Sequence, residues 1–548
     1  MALGTGKHTF KMGVKVKAVQ LTAMDACSTC YPVFSYNVDP VTGVESSPYS
    51  ATFTGIPASV NGQPLASAVA KSNDRQYGLY FQDDWTVNKK LTLNLGVRWD
   101  YEQNPTYLDW QTPDLIRNLF SQQSPTAGLT WAQYYAQGPF GYNINDYMSN
   151  GSQRKAYAGE IQPRLGFSYD IAGDQKNVIV GGIGRSYDRD LFDYLQLEQT
   201  KLATSVPTVY FNTPSHPCTV NGLSCLTWNP AYANGPGALQ NVVAGTVGDV
   251  YLFNNNLKVP YSDQFSLGIR SRIGDWNTSA VVARINSKNG LTFVVGSRGA
   301  AGQYYVPEPW GGYGTPWDVT PGVTTPVGMT NNLVLTDNDV EIRTTQLLLS
   351  AEKPFTNESG WGLKVSYTFT EAYTNSIPNN MEGNFTNTEF SVDYPFTRFA
   401  PFLQSTNAPK HRLVASGSVA LPWDLILGGK LTLSTPMPGW DSRCRPQPSS
   451  GAPNLGPLGQ PCDDITLAPN VKIAYKSLDL QLTKNFKFAN SFSAYVRADV
   501  LNVFNSANLV DQNTTYNSDG TPASHYYNPT GNIANSTRTL RMTVGGKF

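Results

Sequence analysis

"LTLNLGVRWDYEQ", residues 91–103, alternates without a break. Leu91, Leu93, Leu95, Val97, Trp99 and Tyr101 fall on one parity, and Thr92, Asn94, Gly96, Arg98, Asp100 and Glu102 on the other. Successive side chains of a strand point to opposite faces, so the segment predicts a strand with one apolar and one polar face. It runs past the 5–6 residues usual in soluble proteins. It suits a tilted strand of about 9–11 residues crossing a bilayer, with its aromatics gathered at one end. Just before it, "YGLYFQDDWTV" (77–87) is apolar at Tyr77, Leu79 and Phe81, and a few residues around Asn88 connect the two.

The same unit recurs along the chain. Segments 162–171 and 177–187, 263–273 and 278–285, 340–352 and 361–372, 411–421 and 425–434, and 475–486 and 492–504 each read as two strands across a short turn. Between the hairpins lie long connections, 104–161, 188–262, 286–339, 373–410, 435–474 and 505–537, rich in Gly, Pro, Asn, Ser and aromatics. Loops beyond about 15 residues are uncommon in compact soluble domains. Short turns at one end and long loops at the other are the asymmetry of an outer-membrane barrel. With 8–20 as the first strand and 538–548 as the last, the count reaches about 14, an even number. The fold class is therefore all-β, a transmembrane antiparallel β-barrel with long extracellular loops.

The chain ends in "LRMTVGGKF". Leu540, Met542, Val544 and Phe548 share one parity, which places an apolar face toward lipid and an aromatic at the membrane interface. Termini of soluble domains usually fray in polar residues, whereas a strand that closes a barrel has no reason to. Leu540, Met542 and Phe548 together read as an assembly signal, with closure of the barrel expected at this strand.

Composition agrees. Of 548 residues only 15% are charged against 12% aromatic, where globular chains average about 25% charged. Lys plus Arg and Asp plus Glu both number 40, which argues for neither nucleic acid nor an acidic partner. There is no apolar run of about 18 residues that would make a membrane helix. A mean hydropathy of −0.31 fits a barrel with a polar interior and loops. The first residues, "MALGTGKHTFKMGVKVKAVQ", lack the apolar core of a signal peptide. The six cysteines form close pairs, Cys27 with Cys30, Cys218 with Cys225 and Cys444 with Cys462. Three loop disulfides, formed in an oxidising compartment, are expected.

"YFQDDWTVNKKLTLNLGVRWDY", "QPRLGFSYD", "VIVGGIGRSYDR", "PYSDQFSLGIRSRIG", "RADVLNVFNSANL" and "LRMTVGGKF" resemble, in their order and placement on hairpins, the barrel of TonB-dependent outer-membrane receptors, Oar-like branch. The resemblance runs from about residue 7 to 548. It implies energy-coupled uptake of a large solute, such as a peptide or glycan, across the outer membrane of a Gram-negative cell. A surface role in adhesion or export, a porin-like role, or a fragment inactive on its own are the alternatives. Family members carry a signal peptide, a regulatory-like domain, a TonB box and a plug ahead of about 22 strands. None is read here, so residues 1–548 are expected to form one partial barrel domain. The partners implied are outer-membrane lipid and the barrel assembly machinery, with the TonB complex reached only through a missing N-terminal part and no nucleic acid.

Chemical motifs are weak. "VIVGGIGRSY" lacks the third glycine of a dinucleotide fingerprint, since position 187 is Tyr187, and glycine in a barrel strand serves close packing. Asp83 and Asp84 are adjacent on a strand, so their carboxylates face opposite ways and cannot share a proton. "TDNDVE" (336–341) lacks the spacing of a calcium loop and reads as a solvated strand top. No catalytic set, cofactor site or metal site is expected. Trp310, Tyr313 and Trp317, among Gly and Pro in a long loop, form a candidate ligand-contact surface. Arg98, Asp100, Lys364, Arg497 and Asp499 face the lumen, where such residues pair with one another or line a solute path.

Overall fold

The computed structural model describes residues 2–5, 7–24, 32–38, 45–52, 63–189, 192–205, 208–212, 226–234, 247–298, 324–329, 332–376, 394–406, 408–445, 454–458, 462–489, 492–510 and 528–547, with short pieces between them. Among these residues fourteen long strands follow one another through a single sheet. They are β1 (His8–Met24), β2 (Val69–Thr86), β3 (Leu91–Gln103), β4 (Glu160–Asp170), β5 (Asn177–Tyr187), β6 (Tyr261–Ile273), β7 (Trp276–Val295), β8 (Leu333–Lys353), β9 (Trp361–Thr374), β10 (His411–Leu421), β11 (Leu425–Ser434), β12 (Tyr475–Ala489), β13 (Phe492–Leu501) and β14 (Thr539–Lys547). Each pairs antiparallel with the next. A short strand, Ala2–Thr5, runs along the other edge of β1.

The short turns are fixed by local chemistry. Asn88 accepts hydrogen bonds from the backbone N–H of Lys90 and Leu91, closing the β2–β3 turn. The Asp170 carboxylate accepts from the N–H of Gly173 and Gln175 between β4 and β5. Trp423 and Asp424 hold φ of 64° and 54° between β10 and β11, the left-handed geometry that matches a tight hairpin to the twist of its strands.

Alternation sets the two faces. Outward parity carries Val14 (76% exposed), Val544 (75%), Leu540 (68%) and Met542 (68%), with Leu79, Phe81, Ile183, Leu267 and Leu482 between them. So continuous an apolar exterior is far more than water-exposed monomers tolerate, and here it faces hydrocarbon. Glycines fit this wall. A Cβ on Gly181 would lie 2.6 Å from the Phe167 ring across the β4–β5 pair.

Strands run longer than the alternation alone predicted. β1 reaches Met24, β2 begins at Val69, β7 extends to Val295 and β8 begins at Leu333. A register shift between Ser287 and Thr292 interrupts the β7–β8 ladder, with Asn289 at φ 62°. Beyond this bulge both strands are buried on both faces and belong to an extracellular crown. The crown is a folded layer with its own core. Helices α1 (Asp114–Ser121) and α2 (Trp131–Tyr135) pack Ile116, Phe120, Trp131 and Tyr135 against Val294, Leu335 and Phe396. Thr130 and Gln133 close a capping box at the start of α2.

Closure differs from expectation. Among the described residues β14 pairs with β13 alone, and Ala2–Thr5 pairs only with β1. The ladder of β14 is taken up by one neighbour, so the pairing expected to close the sheet is not found there. Phe548 lies outside the described residues.

Candidate functional site

The polar face of the sheet carries a row of ion pairs. Arg98 grips Asp100 two residues along β3, with Nε–Oδ2 of 2.5 Å and Nη2–Oδ1 of 2.7 Å, and Gln162 of β4 donates to the same carboxylate. Lys364 of β9 reaches Glu352 of β8 at 3.1 Å. Asp499 of β13 accepts from Gln481, from Arg541 at 3.0 Å and meets Arg497 at 3.3 Å. All five lumen-facing residues named from the sequence are therefore paired, within a strand or across a ladder. Asp83 and Asp84 diverge as alternation requires. Asp83 bonds His8 (2.8 Å) on the outer face and Asp84 bonds Lys11 (2.6 Å) on the inner.

Above this wall the crown is held by two buried polar knots. The first joins Arg154 and Glu198, whose side chains are 0% and 2% exposed. The guanidinium meets the carboxylate through two hydrogen bonds of 2.6 and 2.9 Å. It also donates to the carbonyls of Phe253 and Tyr107 and to Asn255, and lies 4.5 Å from the centre of the Tyr107 ring. Burial raises the Glu198 carboxyl above its usual range, and the Arg154 charge works against that rise. The second knot centres on Asp337, which accepts from the Tyr147 hydroxyl (2.6 Å) and from Asn254 (2.8 Å). Burial pushes Asp337 up to about 6, and burial beside that carboxylate pushes Tyr147 up as well. Nearby Asp339, also raised by burial, meets Arg398 at 3.3 Å.

This corrects the reading of 336–341 as a solvated strand top. Thr336 is fully buried and Asp337 nearly so, because the loop carrying Tyr147 folds over them. Neither knot was legible beforehand, since each joins residues from loops far apart in sequence. The capping box Thr130–Gln133 was a local signal that this loop folds.

Of the proposed ligand-contact loop, Tyr313 falls in a two-residue strand, with Pro307 opposite it. Trp310 and Trp317 lie outside the described residues, as do Cys27, Cys30, Cys218 and Cys225. Cys462 is disulfide-bonded, and Cys444 stands directly opposite it on a two-stranded ribbon, Gly439–Cys444 with Cys462–Leu467. Among the described residues no group of three His, Cys, Asp or Glu side chains could hold a metal ion, and no helix is long and apolar enough to cross a membrane.

A family model described as "Outer membrane beta barrel domain" matches residues 2–453. The outer membrane transporter YddB from Escherichia coli has a similar structure, with a TM-score of 0.51 and 14% identity, over 100% of this chain and 52% of that one. The ferric enterobactin receptor PfeA from Pseudomonas aeruginosa, solved as a mutant, aligns at a TM-score of 0.43 and 11% identity, over 100% and 60%. At such identities the likeness is one of fold, and the chain spans little more than half the length of the first of these structures. No curated protein matches the chain by sequence.

Proposed function

The chain belongs to the outer-membrane β-barrel domain family, and on that premise we propose that it is the barrel of a TonB-dependent receptor, Oar-like branch, serving energy-coupled uptake of a large solute. Its place is the outer membrane of a Gram-negative cell. The observation that carries the reading is the combination of a polar, ion-paired inner face with a folded extracellular crown. A simple diffusion pore needs no loop layer with its own core. A receptor does, because a binding surface must be held rigid to recognise its solute. The aromatic loop 306–319 is the proposed contact surface, with a peptide or glycan as the solute class. Coupling to the TonB complex, docking to the barrel assembly machinery through Leu540, Met542 and Phe548, and the extent of the domain over 1–548 belong to the same proposal.

Among the described residues the outer edge of β14 has no pairing strand, which favours one companion reading, that these strands are part of a larger barrel. Backbone groups in hydrocarbon must be satisfied within the protein, so further strands would occupy that edge. The experiment is expression of the chain in a Gram-negative host behind an added signal peptide, TonB box and plug taken from a TonB-dependent receptor, with and without a working TonB system. Uptake of labelled oligosaccharides or peptides that stops when TonB is removed supports the receptor reading. Equal uptake in both hosts overturns it in favour of a porin-like barrel. Mobility on an unboiled gel reports folding separately, since a closed barrel resists SDS until heated.

A further inference from the structure

On the polar face of β4, β5 and β6 the charges do not balance. The wall there is low, built from Gly166, Gly182, Gly184, Ser266 and Gly268. Arg164 stands directly between Gly96 of β3 and Gly184 of β5, so neither register partner has a side chain to cover or pair with its guanidinium. Arg270 stands between Val178 and Ser279, and Arg272 follows two residues along the same face. All three are exposed. No ion pair among the described residues includes any of them.

The nearby acids are already engaged. Asp170 accepts from the N–H of Gly173 and Gln175, Asp174 meets Lys176 at 3.5 Å, and Glu352 meets Lys364 at 3.1 Å. These groups share with Arg270 and Arg272 a cavity of about 1600 Å³ at the short-turn end of the sheet. Arg164 lines a second hollow of about 500 Å³ on the same face. The register carries Arg164 across to Gly184 and on to Gln264. Arg270 lies six residues farther along β6, about 20 Å at roughly 3.3 Å per residue. The three cations thus form a descending strip facing open space, with Arg164 between two glycines, Arg270 between Val178 and Ser279, and Arg272 beside Asn277.

We propose that this strip guides anions, and that the solute carried along the inner face bears carboxylate or phosphate groups. Charges of one sign on a concave wall focus the field and concentrate counter-ions. The guanidinium fork matches carboxylate and phosphate geometry and stays charged at any physiological pH. The paired Arg98 and Asp100 of β3 offer no such attraction, since their charges cancel locally. The inference rests on the polar face being the solute path.

The test is calorimetric titration of the full chain, refolded in detergent, with inorganic pyrophosphate as probe and spermidine as its cationic counterpart. Pyrophosphate is expected to bind, more weakly as salt rises, and spermidine to bind at least tenfold more weakly. Changing Arg164, Arg270 and Arg272 together to Ser is expected to cut pyrophosphate affinity about tenfold or more, while changing the three to Lys keeps it within about threefold. If the triple Ser variant does not match the parent in circular dichroism, the single Arg164→Gln change between two glycines replaces it, with an expected loss of about threefold. Undiminished binding in the folded Ser or Gln variants, spermidine binding as tightly as pyrophosphate, or no pyrophosphate binding at all would overturn the proposal. Anion binding with no TonB-dependent uptake would sink the receptor reading and leave the strip standing. Uptake without anion binding would do the reverse.

Discussion

Consider removing one partner of the Arg154–Glu198 knot. In Glu198→Ala the guanidinium stays fully enclosed but loses both carboxylate bonds and its counter-charge. Stranding one member of a buried pair costs about 3–5 kcal/mol. The N–H of Phe253 loses its acceptor in the same step, which adds to the cost. The loss is local to the crown, because the knot ties the loop before β4 to α3 (Leu197–Ala203) and to residues 253–255. Hydrogen exchange of amides in 247–255 is the assay, with strand amides of β12 and β13 as internal reference. At tenfold per ~1.4 kcal/mol, a lower-bound cost of about 3 kcal/mol speeds crown exchange about a hundredfold and leaves the reference unchanged. The double change Arg154→Met with Glu198→Leu removes the stranded charge and recovers part of the loss. It falls short of full recovery because the carbonyls of Phe253 and Tyr107 then lack a donor. Exchange in 247–255 within about threefold of the parent for Glu198→Ala would refute the reasoning. So would a double variant worse than the single.

Three further outcomes are expected. Because Asp337 is raised to about 6 from 3.8 by burial, the folded crown holds a proton that the unfolded chain has released between those values. Crown stability therefore falls as pH rises from about 4 to about 6 and levels off above, by up to about 3 kcal/mol. Hydrogen exchange across that range reads the slope, and Asp337→Asn should reduce it to what Glu198 and Asp339, also raised by burial, contribute. Met542→Arg places a charge on the lipid face of β14 at an exposed outward position, with an expected cost of about 2–4 kcal/mol near mid-membrane. Urea unfolding in lipid vesicles measures this, and a shift below about 0.5 kcal/mol would show the face is not in hydrocarbon. From the sequence, Phe548→Ser should slow assembly, and unchanged amounts of folded protein in outer-membrane fractions would count against it.

The strands were legible because a barrel wall writes its two solvents into alternate letters. Leu91 to Tyr101 and Leu540 to Val544 needed only parity to be assigned to lipid. The pairing of Arg98 with Asp100 was legible for the same reason, since i and i+2 share a face. What parity cannot reach is the crown. Where β7 and β8 pass the bulge, both faces are buried and alternation stops carrying information. Tyr147 finds Asp337 across 190 residues, and Arg154 finds Glu198 across 44, and no local pattern encodes either meeting. The strip of Arg164, Arg270 and Arg272 was missed for a different reason. Each residue is an ordinary inward cation in sequence, and only the register reveals that its partners are glycine, valine, serine and asparagine rather than carboxylates.

The bulge between Ser287 and Thr292 also divides the chain by what change it can absorb. Below it, identity is counted modulo two. One residue gained or lost within a strand exchanges lipid and lumen for every side chain up to the next turn. Above it, length carries no such arithmetic, and whole loops can lengthen, shorten or be replaced without moving a single membrane contact. Lineages built on this plan can therefore revise what they recognise in loop-sized steps while the wall beneath tolerates little beyond substitution. In the β7–β8 ladder the boundary between those two modes of inheritance falls at the bulge that carries the left-handed Asn289.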